Sequence, residues 1–335
     1  TIKDVAKEAG VSTATISRVL HNSDSVKPET RDYVLSVIKR LNYNPNVLAR
    51  QMRTQKTHSV IVTVPDIGNV YFSEVIYGIE RCAQEHGYQI LLVDMHEQAD
   101  IEYYYFKAIQ QHTIDGIISL SASVAKSLIE KVSEKYPIVV ACQYLENYHV
   151  PNVTINNIQA AEDITEHLLA LGHKRIAHIS GQPNELFYRN RFNGYLSALA
   201  KHGLTIDLEL VKYGEPTIQG GYENMKLLLD QDPSITAVFA AGDAIAIGAC
   251  RAIKESGRRI PEDCAVVGFY DIDLSSFLSP PLTTIRQPRR AIGHTAFEML
   301  MRLMNQEPLD AMQVVLEHEL VIRDSCGYKM AHKNA

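Results

Sequence analysis

Between residues 59 and 269, apolar runs of strand length alternate with stretches of helix length, and the alternation is completed twice. The first series holds SVIVTV (59–64), QILLVD (89–94), DGIISLS (115–121), PIVVAC (137–142) and Val153-Thr154-Ile155, with helices expected over 72–86, 101–111 and 124–135. The second holds RIAHISG (175–181), a strand near 208–213, AVFAA (237–241) and AVVGF (265–269), with helices expected over 160–171, 191–202, 220–229 and 243–255. A last helix is expected over 290–305. Uninterrupted apolar strands are buried on both faces, and helices of ten to fifteen residues serve as crossovers. The pattern therefore predicts two lobes, each a doubly wound parallel sheet in an α/β core. Ligands of such sheets bind beyond the carboxyl ends of the strands.

The first fifty-eight residues have a different texture. Thr1 and Asp4 can form a capping box ahead of a helix whose apolar face is Ile2, Val5, Ala6 and Ala9. Gly10 ends it, since glycine takes the left-handed conformation cheaply. Ser12 then caps a second helix with Ile16, Val19 and Leu20 facing inward, and Val11 packs in the corner. A third helix is expected over 28–41, with Pro28 at its first position and Val34, Val37, Ile38 and Leu41 closing an all-α three-helix core. The second helix keeps Thr13, Ala14, Thr15, Ser17 and Arg18 on its outer side. Side chains that are small or polar, plus one arginine, suit a recognition helix entering a DNA major groove about 12 Å wide. The same pattern fits an ordinary helical hairpin, and charge separates the two readings. Residues 1–58 carry ten Lys or Arg against five Asp or Glu, a net +5, in a chain of net −6, so the remainder is −11. A basic head on an acidic body is the footprint of a protein that sets one end on phosphates. After Pro45, a segment over 47–53 is too short to be a stable helix alone, and so would form only when something holds it.

The 335 residues exceed one typical domain. No apolar stretch approaches the ~18 residues of a membrane span, and Thr1 opens directly into a capped helix, so a cytoplasmic protein is expected. The five cysteines (Cys82, Cys142, Cys250, Cys264, Cys326) are scattered without a Cys-x-x-Cys pair and read as reduced, buried thiols. The thirteen histidines lack metal-ligand spacing, and His167, His173 and His178 read as surface or loop positions. There is no Gly-x-Ser-x-Gly elbow, no His-Glu-x-x-His and no phosphate or dinucleotide glycine loop, so neither catalysis, nor a metal, nor a cofactor is expected.

Ordered matches run along the whole chain: Ile2 to Leu20, Val26-Lys27-Pro28-Glu29-Thr30-Arg31, Leu41-Asn42-Tyr43-Asn44-Pro45-Asn46, Val64-Pro65-Asp66-Ile67, Asp115-Gly116-Ile117-Ile118, Leu171-Gly172-His173-Lys174-Arg175-Ile176, Pro261-Glu262-Asp263 with Gly268-Phe269, and Leu282 to Pro288. On these residues the sequence resembles the lactose-repressor/galactose-repressor (LacI/GalR) family of bacterial transcription factors. The runs 64–80 and 272–288 also resemble the cytidine-repressor branch. The resemblance implies a headpiece over 1–45, a hinge helix and linker over 46–58, and an effector-binding and dimerisation core over 59–328 like periplasmic binding proteins. The first lobe would take 59–157 and 288–317, the second 158–287 and 318–328, with crossings near 155–157, 287–288 and 317–319; residues 327–335 read as a ragged tail. Partners implied are double-stranded operator DNA, a second copy of the chain (dimer or tetramer), and a small-molecule effector, a nucleoside or a sugar.

Mapped by motif, the family's base-reading side chains fall on Thr13, Ala14 and Arg18, with Ser12, Thr15, Ser17 and Asn22 placed for phosphate or groove contacts. Met52 stands where the family has a leucine wedged into the minor groove, and Arg53 would sit near phosphates with Arg50 and Lys56. The effector site implied lies between the lobes. Its candidates are Asn69, Tyr71, Phe72, Asp94 and Ser121 with Ser123 from the first lobe, and Arg191, Asp243 and Tyr270 from the second. Tyr71-Phe72 resembles the aromatic pair of the purine-binding member, though Phe72 fits a core role equally well. Arg191 is read as a cation at a helix start, where the dipole disfavours it, which leaves a ligand contact or a salt bridge. Tyr270 replaces the family's usual aspartate, Cys142-Gln143 its Asp-Arg or Asn-Arg, and Ile155-Asn156-Asn157 its Ile-Asp-Asn. Fewer carboxylates and more aromatics point to a ligand with fewer hydroxyls than a hexose. Arg289-Arg290 leaves open a core that binds a phosphocarrier protein, as in catabolite-control regulators.

Overall fold

The computed structural model describes residues 1–21, 25–43, 56–95, 106–120, 126–147 and 149–331. The chain divides into two compact units, Thr1–Thr57 and His58–Ala335.

The first unit is three helices: α1 (Ile2–Ala9), α2 (Thr13–His21) and α3 (Pro28–Arg40). The capping box forms as the spacing predicts, with the Thr1 side chain on the Asp4 amide and the Asp4 side chain reaching back. Gly10 takes φ 65°, and the amide of Val11 returns to the Ala6 carbonyl at 3.1 Å, closing the turn between α1 and α2. The Ser12 Oγ accepts from the Thr15 amide at 3.1 Å. Val5, Ala6, Ala9, Ile16, Val19, Val34 and Val37 form the buried core. Leu41 does not join it: the helix ends at Arg40, Leu41 is exposed, and the partly buried Tyr43 packs on the cluster instead. Arg40 ties α3 to Glu8 of α1 at 2.7 Å.

The second unit contains two six-stranded sheets. In the first, β1 (Ser59–Val64), β2 (Gln89–Asp94), β3 (Gly116–Ser119), β4 (Ile138–Ala141), β5 (Asn152–Ile155) and β11 (Gln313–Leu316) run in the order β11-β5-β4-β3-β1-β2, all parallel. In the second, β6 (Ile176–Ser180), β7 (Val211–Tyr213), β8 (Ala237–Ala240), β9 (Ala265–Tyr270), β10 (Thr283–Arg286) and β12 (Glu319–Val321) run β12-β10-β9-β8-β6-β7. Only the edge strand β12 is antiparallel there, a departure from the all-parallel expectation. It can be antiparallel because it is reached by a two-residue step from β11 and needs no helical crossover.

The helices are α4 (Val70–Glu85), α5 (Lys126–Ser133), α6 (Asn157–Ala170), α7 (Leu186–Lys201), α8 (Ile218–Gln231), α9 (Asp243–Glu255) and α10 (Arg289–Met304); residues 106–110 are also helical. Several begin earlier than their apolar spacing predicts, because a polar cap sits ahead of the first buried residue. Asn69 caps α4, Asn156 caps α6 and Thr217 caps α8. Between 208 and 213 only the last three residues are strand, after a turn of 3-10 helix. The chain passes between sheets three times, from β5 into α6, from β10 into α10, and from β11 into β12. Helices α4 and α10 pack together on the first sheet at glycines: a methyl at Gly78 would overlap the Arg290 carbonyl, and one at Gly293 the Val75 carbonyl. One buried apolar cluster runs from Val60 and Ile79 in the first lobe to Phe239 and Phe269 in the second.

The histidine reading is corrected here. His178 lies in β6, fully buried, its Nδ1 3.0 Å from the Phe239 carbonyl and its ring stacked on Phe192 and Tyr195. His167 is half-buried, its Nε2 3.2 Å from the Cys326 thiol. An aromatic ring with one polar edge satisfied packs as core. His173, by contrast, lies in the loop before β6 as expected, and meets Thr236 at 3.1 Å. Among the described residues, no helix is long and apolar enough to cross a membrane.

Candidate nucleic-acid interface and interlobe ligand site

In α2 the core side is Ile16 and Val19, and Ala14, Ser17 and Arg18 lie one hundred degrees or more from both. Thr13, Ala14 and Arg18 are exposed together with Ser12; Thr15 and Ser17 are half-buried at the edge of that face. Spacing of one, four and five residues places Thr13, Ala14, Ser17 and Arg18 on a single stripe. Ser12 is engaged as the cap and reaches the Thr15 hydroxyl at 3.0 Å. Asn22, Arg50, Met52 and Arg53 lie outside the described residues, as do Ser121 and Ser123.

The second site forms where the two sheets' carboxyl ends meet. From the first lobe, the cap Asn69 accepts the Tyr71 amide at 3.0 Å and starts α4. This fixes Tyr71, which is buried and points its hydroxyl at Gln287, donating to Oε1 at 2.7 Å. Phe72 is half-buried, edge-on to Tyr71 at 5.1 Å between ring centroids, and packs on the apolar cluster. Asp94 ends β2. From the second lobe comes Tyr270, the last residue of β9, whose ring lies 4.5 Å from that of Tyr71. Burial pushes the Tyr71 phenol well above its ordinary value, and pushes the neighbouring Cys142 thiol up to about 12.

Arg191 is the centre of the second-lobe wall and is 2% exposed. It does not stand at a helix start. Helix α7 begins at Leu186, so Arg191 sits in its second turn, and the dipole argument for it falls away. A salt bridge does not account for it either, since none of the ion pairs among the described residues includes Arg191. Its partners are neutral. Nε donates to Asn157 Oδ1 at 3.0 Å, and Nη1 donates to the Ala241 carbonyl at 2.6 Å and to the Tyr270 hydroxyl at 2.7 Å. The guanidinium carbon is 3.9 Å from the Phe269 ring centroid and 4.5 Å from that of Tyr270. Aromatic faces and neutral acceptors hold a buried cation at a cost that a carboxylate would lower, so the group stays receptive to an acceptor-bearing ligand. Tyr188, on the same helix, is buried and its phenol is raised well above the ordinary value by that burial. Gly181 leaves room for its ring, which a Cβ there would overlap.

Asp243 departs from its expected role. Its carboxylate is fully buried and accepts from the Ile272 amide at 2.9 Å, the Ser275 hydroxyl at 2.8 Å and the Thr284 hydroxyl at 2.6 Å. Burial raises its value, and these three donors work against that rise. It pins the segment that follows Tyr270 from behind. Asp271 is likewise turned to protein, paired with Arg286 at 2.7 Å and Arg323 at 2.7 Å. The lobes also meet at the cleft's edge, where Asn190 donates to the Tyr144 hydroxyl at 3.3 Å and Arg189 pairs with Glu146. Sequence reasoning missed Asn157, Gln287, Phe269 and Tyr188. The first two lie in crossings already singled out, and a polar side chain at a crossing was the available signal.

The described residues thus give a three-helix module with an exposed stripe, and two wound lobes that share an aromatic cleft. Residues 1–46 match the model of bacterial regulatory proteins of the lacI family, and residues 57–323 that of periplasmic binding proteins and the sugar binding domain of the LacI family. Catabolite control protein A of Priestia megaterium is 36% identical over 327 residues, 97% of this chain and 98% of its own length. The transcriptional repressor CytR of Escherichia coli K12 is 37% identical over 326 residues, covering 97% and 96%. Among solved structures, the lac repressor dimer bound to operator and the anti-inducer ONPF has a TM-score of 0.87 at 27% identity, over 97% of this chain and 98% of that one. The chain belongs to the LacI family of bacterial regulatory proteins. Its relatives are transcriptional regulators, not enzymes.

Proposed function

We propose that the chain is a sequence-specific repressor that binds a near-palindromic operator as a homodimer and is controlled by a small molecule, a nucleoside or a sugar, in the interlobe cleft. The observation that carries the DNA reading is the outer stripe of α2, where Thr13, Ala14 and Arg18 are exposed side by side over an apolar core face. Arg18 is the residue that reads a base, since a guanidinium can bond guanine at two points. A homodimer sets two such helices on half-sites about one DNA turn apart. Effector binding favours one arrangement of the lobes, and the segment 46–58 carries the change to the headpieces as a shift in population. The buried guanidinium of Arg191, held by neutral partners between aromatic rings, supports a ligand with a flat face and an acceptor.

The test is a gel-shift of Arg18→Ala against operator and mismatched duplex. Discrimination should fall by about 1–3 kcal/mol while thermal unfolding stays unchanged. Unaltered discrimination would place base reading elsewhere. A phosphocarrier-binding core is the weaker reading, because Arg289 donates to the Asp271 carbonyl at 3.0 Å and Arg290 pairs with Glu74 inside the chain.

A further inference from the structure

Tyr270 has φ 117°, a left-handed value that a residue with a Cβ takes only when its surroundings impose it. The next residue, Asp271, also has positive φ, at 55°. The imposition is visible on both sides. Behind, the Asp271 carboxylate is paired with Arg286 and Arg323, and its carbonyl accepts from Arg289. In front, the Tyr270 hydroxyl accepts from Arg191, and its ring lies against Tyr71 of the opposite lobe. Gly242 clears the ring's flank, since a Cβ there would come within 3.2 Å of Tyr270 Cε2. A phenol so placed supplies what a bound molecule would supply: an acceptor for a buried cation that pairs with no carboxylate among the described residues, and a flat face for an aromatic ring across the cleft.

We propose that Tyr270 is an internal occupant of the interlobe cleft: its phenol stands in the place of a ligand, joins the two lobes through Arg191 and Tyr71, and shuts out molecules whose only polar groups are hydroxyls. The proposal rests on the reading of this cleft as the effector site. An effector of the unaltered chain must displace the phenol by offering the same two features, an acceptor for Arg191 and a planar ring for Tyr71. That is the chemistry of a nucleobase and not of a plain saccharide.

The experiment removes the occupant and returns it as a free molecule. Tyr270→Gly is the variant of choice, because glycine accepts φ 117° without strain. The probe is p-cresol, the tyrosine side chain cut off at its Cβ. With the full-length chain, p-cresol should raise the thermal midpoint of Y270G saturably, by about 2–4 °C, and leave the unaltered chain unmoved. An equal response of both chains, or of neither, overturns the proposal. A second measurement needs no variant: cellobiose should give the unaltered chain no saturable shift, and a saturable one overturns the proposal. The failures are separable. If cellobiose binds with Tyr270 in place, the effector reading stands and the occupant is lost. If p-cresol rescues Y270G while no nucleoside or sugar binds the unaltered chain, the occupant stands and the effector reading is lost.

Discussion

The outer stripe of α2 and the wall of the interlobe cleft are both polar, and they are built in opposite ways. On α2, the fold uses Ile16 and Val19 and leaves Thr13, Ala14 and Arg18 outside, so what the helix offers a partner is what packing does not need. In the cleft, the polar groups are already used. Tyr71 holds Gln287, Arg191 holds Asn157, Ala241 and Tyr270, and behind the wall Asp243 holds three donors. A substitution on the stripe should therefore change recognition and spare stability, and one in the cleft wall should change both. Each expectation below probes that division.

The largest effect is expected at Asp243→Ala. The change strands the Ile272 amide and the Ser275 and Thr284 hydroxyls in a dry interior. At roughly 1–3 kcal/mol for each buried donor left without a partner, the core should lose about 3 kcal/mol or more. Urea unfolding followed by circular dichroism measures it. If stability drops by less than about 1 kcal/mol, Asp243 is not the pin described and returns to being a ligand contact.

A pH titration sharpens the cleft side of the comparison. His178 stacks on Phe192 and Tyr195 of α7, the helix that carries Arg191, and burial lowers its value from 6.5 to about 4. The folded chain then binds this proton less readily than the unfolded chain does. Stability is full above about pH 6.5 and falls as pH drops toward 4, by at most about 1.4 kcal/mol per pH unit. His173, also lowered by burial, adds a smaller slope of the same sign. Asp263, held down to about 2 by Arg259, adds a loss only below the ordinary carboxylate range. His178→Phe should flatten most of the slope between pH 6.5 and 4 in urea midpoints. An unchanged slope would assign the acid sensitivity to other groups.

How far the sequence reached differs between the two regions for the same reason. The headpiece is local: Thr1, Gly10 and Ser12 act within a few residues of themselves, so caps and turn could be read directly. Strands were legible as apolar runs because both their faces are covered. The cleft is assembled from distant pieces. Tyr71 meets a glutamine 216 residues away, and Arg191 a tyrosine 79 residues away. No periodicity encodes such pairs. The start of α7 was misplaced because Glu185 gives it no side-chain cap to read, and His178 because a histidine in a strand looks polar until its aromatic neighbours are known.

Ser12 is the one position where the division fails, and it gives the smallest and most discriminating test. Its hydroxyl caps α2, and we propose that it also contacts a DNA phosphate. Loss of such a cap costs about 1 kcal/mol, so Ser12→Ala should lower headpiece stability by that amount and weaken operator binding as well. Ser12→Asp separates the two roles. Aspartate caps as well as serine and suits the positive end of the helix, so stability should be kept. The same charge beside a DNA phosphate is repelled, so operator affinity should fall further than with alanine, and more steeply as salt is lowered. Headpiece melting and a salt series of gel-shifts give the two readouts. If the aspartate variant binds operator as tightly as the unaltered chain, Ser12 is a cap alone, and the stripe used for recognition begins at Thr13.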